Sequence, residues 1–308
     1  MKRLTVLLLV LTLLVGCSAR EPAQAAISFT DDLGRQVQLT AAPKRVACLL
    51  GSFAEVWMLA GGHVVAAPDD AWDDFGLAME DAVNLGNTKQ MSLEKLLSAE
   101  PDFVIASTNT RQDLQWLDTL EAAGIPTAYF NVSDFPDYLQ MMRICTDITG
   151  RKDLYEQNGT AIQAQIDRAI ALAQDRIAKD GVAPKVLFLR ASATSIRAKN
   201  SKGNVTGQML AALGCVNIAD SDESLLENLS MEHILLQDPD LIFFVQSGDD
   251  ASGTEAHIQR FFAENPIWQS LTAVQEGRVY RLDKRLYNLK PNALWGKAYL
   301  DLVEMIWE

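Results

Sequence analysis

One short device occurs twice in this chain, and it constrains the fold more than any other feature. The stretch MSLEKLLSAEPDFVIAS, residues 91–107, is echoed by SMEHILLQDPDLIFFVQ, residues 230–246. At a fixed offset of 138, Ser92 falls on Ser230, Glu94 on Glu232, Leu97 on Leu235, Pro101 on Pro239 and Asp102 on Asp240. Each serine precedes the first apolar-periodic residue, which makes it an N-cap. Each glutamate then falls in a first helical turn, where a negative charge complements the helix dipole. The prolines stop the helices. The strands that follow are apolar at every residue, as in a sheet covered on both faces. A helix–stop–buried strand unit used twice predicts two related α/β halves, with both acids presented on one surface.

The rest of the chain fits that division. ISFTDDLGRQVQL reads as a hairpin, and strands over 46–50, 63–67, 103–106 and 125–132 alternate with helices over 52–60, 92–98 and 111–123. A helix over 136–150 leads into the longest helical signal, 151–180, with Leu154, Ile162, Ile166, Ile170 and Ile177 on its apolar side. Alternation resumes with strands over 186–189, 216–218 and 241–245, helices over 207–213, 230–237 and 255–264, a hairpin-like GRVYRL and a closing helix from Pro291. The expected architecture is therefore two Rossmann-like α/β lobes, 27–150 and 181–308, joined by a single long helix over 151–180, with a ligand cleft between the lobes.

The first 26 residues read as targeting rather than fold. Lys2 and Arg3 precede an apolar run, Leu4–Val15, of 12 residues, too short for the ~20 that cross a bilayer and suited to a signal peptide over 1–16. The run ends in Leu14-Val15-Gly16-Cys17, a small-residue cleavage site followed by cysteine, and 17–26 reads as a tether. Cleavage there takes the formal charge from −13 down to −15; such a surface repels phosphate backbones, so nucleic acid is not an expected partner. Cys48, Cys145 and Cys215 sit among apolar neighbours and read as small buried hydrophobes. Three histidines, none paired at metal spacing, argue against a protein-held metal. Neither a nucleotide loop, a nucleophile elbow nor an HExxH helix is present, so neither catalysis nor a resident cofactor is expected.

The cysteine motif, the opening FTDDLGRQVQLTAAPKRVACLLGSFAEVWMLAGG, the MSLEKLLSAEPDFVIAS block and its echo together resemble class III substrate-binding lipoproteins, which serve ABC importers of ferric siderophores, heme and cobalamin. The resemblance runs from about Ile27 to Trp307. It implies a monomer at the extracytoplasmic face of the cell membrane, anchored through lipidated Cys17 alone. It also implies a permease dimer with its ATPase as partner, with Glu94 and Glu232 docking on arginine pockets of the two permease chains. A small-molecule metal complex is the implied ligand, ferric siderophore first, heme or cobalamin as alternatives. A surface lipoprotein that captures a ligand without feeding a transporter would keep the cleft and not need the paired acids.

In open α/β sheets ligands bind beyond the carboxyl ends of the strands. Loops at that edge supply the expected cleft: Phe53, Trp72, Met91, Arg111, Arg190, Arg197, Lys199, Tyr287, Lys290 and Trp295. The cations (with Lys284 and Arg285) stand out against an acidic background and suit an anionic chelate or tetrapyrrole propionates. Trp72 and Tyr287 would offer flat walls; Met91, Tyr287 and His257 are the candidate axial ligands that heme would need.

Overall fold

The structure is a computed structural model and describes residues 27–221, 224–227 and 229–307. The expected signal peptide, Cys17 and tether lie outside the described residues. The chain opens with the antiparallel hairpin β1 (Ile27–Thr30) and β2 (Gln36–Leu39). The Asp31 carboxylate closes its turn by accepting from the Leu33 and Arg35 amides and from the Arg35 guanidinium. The same carboxylate also accepts from Tyr129 N, seating the hairpin on the first lobe.

That lobe is a parallel sheet of β3 (Val46–Cys48), β4 (Val64–Ala67), β5 (Val83–Asn84), β6 (Phe103–Ser107) and β7 (Thr127–Phe130), in the order β5-β4-β3-β6-β7. The second lobe contains β8 (Lys185–Ala191), β9 (Ile196–Ala198), β10 (Val216–Asn217), β11 (Leu241–Gln246) and β12 (Val279–Leu282). Its order is β10-β8-β11-β12, all parallel, with β9 antiparallel on β8. The two echoed strands, β6 and β11, are interior to their sheets and buried up to the last residue of β11, which is why both are apolar except at their final residues, Ser107 and Gln246.

Strand alternation sorts the side chains of each sheet onto two faces. Ala47, Val104 and Ala106 face an outer core of the first lobe, and Leu187, Leu189, Ile242 and Phe244 one of the second. The other faces, with Val46, Phe103 and Ile105 on one sheet and Val186, Phe188 and Phe243 on the other, belong to a single apolar core spanning both lobes. The long helix lies in that core through Ile162, Ile166, Ala169 and Ala173. It runs as Lys152–Tyr155, one π turn over Glu156–Thr160, and Ala161–Asp180. The closing helix Trp295–Trp307 packs on it, so closely at Gly296 that a Cβ there would lie 2.1 Å from Gln165 Oε1. No described helix is long and apolar enough to cross a membrane.

Two readings of local structure are corrected. GRVYRL is not a hairpin: the crossover through helix Ala251–Glu264 returns β12 to lie parallel to β11, Ile242 opposite Val279. The helix read over 111–123 is two, Arg111–Gln115 and Leu117–Ala122, separated at Trp116. The short strands β5 and β9 have too few residues to show a period.

The repeat proves deeper than its letters. Ser92 Oγ accepts from Lys95 N at 3.2 Å and Ser230 Oγ from His233 N at 3.4 Å. Both helices end on a left-handed acidic residue, Glu100 at φ 47° and Asp238 at φ 41°, again 138 apart. Asp102 then accepts from Lys44 N and Arg45 N, both at 2.8 Å, clamping the entry to β3; Asp240 accepts from Lys185 N at 2.7 Å at the start of β8. The clamped basic residue reaches back to the end of the helix in both copies, Arg45 to Ala99 O and Lys185 to Gln237 O. Asp102→Ala and Asp240→Ala should each lower unfolding free energy by about 1–2 kcal/mol, with near-additive losses in the double variant because the sites share no partner. Urea denaturation of the three variants measures both expectations.

Candidate functional site

In parallel β–helix–β units the helices run against the strands, so their N-termini lie toward the carboxyl edge of the sheet. Glu94 and Glu232, in the first turns of Leu93–Ser98 and Met231–Gln237, are both exposed there. The same edges carry the loops that face one another across the lobes.

One segment of the second lobe, residues 284–292, straps that junction. Arg285 Nη2 donates to Glu55 Oε2 at 2.5 Å, and its guanidinium lies 4.3 Å from the Phe75 ring centroid. Lys284 Nζ donates both to Asp74 at 2.7 Å and to Asp249 at 2.8 Å, joining an acid of each lobe. Asn292, wholly buried at φ 54°, donates from Nδ2 to Ser52 O at 2.8 Å and Glu55 Oε2 at 2.6 Å. Beneath the strap, helix Gly51–Leu59 starts against the short helix Asp70–Asp73 that follows β4: Gly51 N donates to both Asp70 carboxylate oxygens at 3.1 Å. A Cβ at Gly51 would lie 2.6 Å from Ala71 N, so only glycine permits that approach.

The expected cleft residues divide into three groups. Arg190, at the end of β8, and Arg197, on β9, are direct partners across the antiparallel ladder. With Lys199 and Lys202 they line a cavity of about 170 Å3 that opens at the N-terminus of helix Val205–Ala212. Phe53 is buried in the shared core, and the half-buried Lys290 holds its ammonium 6.0 Å from that ring. Trp72 is half-buried against the core and Arg111 is exposed at a helix start. Phe53 is thereby corrected as interior, and so are the remaining three. Met91 is buried in the outer core of the first lobe, its amide and carbonyl both bonded to the Gln112 side chain. Tyr287 is interior and donates its hydroxyl to Ala298 O at 3.0 Å. Trp295 is wholly buried against Phe135 and Tyr299. A position at a loop or helix start predicts exposure only when the segment does not fold inward, and these do.

Asp74 and Asn292 lie in loops expected at the cleft, 68–75 and 286–292, but Glu55 is not expected in the junction. Glu55 reads as the polar face of a helix, and its partners lie more than 200 positions away. His257, the third axial candidate, has Nδ1 2.9 Å from Ser192 O.

Charge is arranged unevenly around the junction. Burial pulls the ammonium pKa of Lys290 below its ordinary value, and Arg190 adds to that; burial also lowers Arg190, and lowers Lys199 together with Arg190 and Arg197. On the first lobe burial pushes Asp70 up to about 6, despite the Gly51 amide. Burial also pushes Asp113 up to about 7, although it accepts from Ser107 N at 2.8 Å; its Oδ1 is enclosed without a partner.

A model of the family described as periplasmic binding protein matches residues 46–286. The YhfQ protein of Bacillus subtilis, provisionally named as an ABC transporter substrate-binding lipoprotein, is 24% identical over 98% of this chain and 97% of its own. Two solved structures share the fold. The periplasmic heme-binding protein RhuT of Roseiflexus sp. RS-1 is 23% identical, with a TM-score of 0.69 over 86% of this chain and 98% of that one. Staphylococcus aureus SirA complexed with staphyloferrin B is 21% identical, with a TM-score of 0.66 over 90% and 96%.

Asp113 generates a pH expectation. Its folded pKa of about 7 lies above the ordinary 3.8, so its ionisation penalises the fold increasingly as pH rises between those values and the penalty is full above them. Asp113→Asn removes that titration: variant stability relative to the parent should rise from pH 5 to pH 8 by roughly 1–3 kcal/mol. Thermal unfolding at the two pH values reads the difference.

Proposed function

This chain belongs to the periplasmic binding protein family, and from that premise we propose that it is the receptor of an ABC importer, capturing an iron chelate of the ferric-siderophore type between its lobes. As a member of that family it binds a solute rather than transforming one. The relatives' names span iron uptake, ferric citrate, ferric hydroxamate and vitamin B12, and those of the solved structures include heme and siderophore complexes.

The observation that carries the receptor reading is the matched pair of acids. Glu94 and Glu232 stand exposed at equivalent positions of two serine-capped helices. A partner made of two like chains, each offering a cationic pocket, would take one acid from each lobe. A lipoprotein that captured a ligand without delivering it would have no use for this matching. Lipidation at Cys17 would hold the receptor on the extracytoplasmic membrane face, within reach of the permease.

Iron chelate is preferred over heme on coordination grounds. Heme needs an axial donor, and of the three candidates Met91 and Tyr287 are interior, which leaves only His257, through Nε2, since its Nδ1 lies 2.9 Å from Ser192 O. A ferric siderophore brings its own iron ligands and asks the protein only for shape and charge.

Glu94→Ala combined with Glu232→Ala should leave ligand affinity unchanged and lower permease-dependent uptake by at least about tenfold. Radioactive-iron uptake by cells carrying the variant, beside equilibrium binding to the purified chain, makes the measurement. Uptake at the parental rate would exclude the two acids from docking.

A further inference from the structure

The most unusual charge arrangement outside the strap is the pairing of Arg190 with Arg197. They face one another directly on the β8–β9 ladder, a position where like charges destabilise a sheet. The chain has 40 acidic residues and a net charge of −13. Even so, among the described residues no carboxylate lies within ion-pair distance of Arg190, Arg197, Lys199, Lys202 or Lys290. Lys284 and Arg285, a few residues from Lys290, are both paired with acids. Among the described residues, the cations of the cavity thus have no acid paired with them while their neighbours do. Arg190 Nε is in addition enclosed without a hydrogen-bond partner, an expensive condition for a charged donor unless something else supplies the acceptor.

The cavity adds a geometric clue. Helix Val205–Ala212 begins at its edge, where Asn204 Oδ1 already accepts from Gly207 N at 2.8 Å, so the dipole of that helix adds to the positive field. Among the described residues its lining is otherwise polar, with Leu226 and Ala198 the apolar members. A flat macrocycle needs broad apolar walls on its faces, and among the described residues only Ala198 and Leu226 offer apolar surface here.

Resting on the receptor reading above, we propose that the ligand is a ferric chelate bearing carboxylates on its outer surface, and that Arg190 and Arg197 are the residues that select it. Two planar guanidinium forks held side by side match two carboxylates bidentately. Lys199 and Lys202 provide the surrounding positive field, and Lys290 extends it from the cavity toward the Phe53 side of the junction. A neutral trihydroxamate chelate or a corrinoid would leave this set of cations uncompensated, so the site discriminates by penalty as well as by attraction.

The test uses the full chain purified in detergent, titrated by tryptophan fluorescence with ferric citrate, iron-free citrate, neutral ferrioxamine, a ferric tris-catecholate, hemin and cyanocobalamin. Ferric citrate is expected to bind at least about tenfold more tightly than ferrioxamine, and to weaken by at least about tenfold in Arg197→Gln and in Arg190→Gln. Lys179→Gln, on the long helix, should change nothing. Arg197 is exposed at the edge of the ladder, so its variant tests the idea even if Arg190→Gln fails to fold; unchanged thermal melting certifies the comparison. Ferrioxamine or the catecholate bound as tightly as ferric citrate, with affinity unmoved in Arg197→Gln, would overturn the carboxylate assignment and leave the receptor reading standing. Iron-free citrate bound as tightly as the chelate would also overturn it. Binding of cyanocobalamin or hemin with no iron chelate bound at all would overturn the inference and the iron-chelate reading together.

Discussion

Both sheets share one apolar core, and nearly everything else in the molecule follows from that. The inner faces of the two lobes do not end in separate interiors; Val46, Phe103 and Ile105 of one and Val186, Phe188 and Phe243 of the other meet the long helix and the closing helix in a single cluster. Moving one lobe against the other would require breaking close-packed contacts rather than turning a linker. The π turn at Glu156–Thr160 adds a polar fastening on the first lobe, where Asn158 donates to Leu59 O at 3.0 Å and accepts from the Tyr138 hydroxyl at 2.7 Å. The junction between the lobes is therefore shaped mainly by its loops and by the strap 284–292.

Within that frame the polar interactions fall into two kinds. Acids that accept main-chain amides, such as Asp31, Asp102 and Asp240, fix where elements begin. Ion pairs across the junction, Arg285 with Glu55 and Lys284 with Asp74, fix how the rims meet. They are partly enclosed, so solvent screens them less than it does the pairs on the outer helices, such as Lys179 with Asp175.

The architecture was legible in the sequence because its cues are local. Serine before an apolar period, Pro-Asp after it and an unbroken apolar run each report on a few neighbouring residues, and together they located the central strands and the long helix. The site was less legible because it is built from distant pairs. No neighbour of Glu55 announces that Arg285 will meet it. The arginines of β8 and β9 were visible as loop cations, but their direct opposition depends on a three-residue strand too short to carry a period. Aromatic residues misled for a related reason: Tyr287 occupies a segment that reads as a rim loop and Trp295 the first turn of the closing helix, and the close packing of that helix draws both inside.

The aspartate clamp also bears on how such a protein can change over generations. Asp102 and Asp240 grip main-chain amides, not side chains, so the element they fix is indifferent to most substitutions around it. The clamped basic residues, Arg45 and Lys185, are 140 positions apart, while the helices they brace are offset by 138: one half has absorbed a length change between strand and helix without losing the contact. Loops at the opposite edge can then be exchanged without disturbing the scaffold. A lineage built this way can acquire a new cargo while its exposed acids stay where they were.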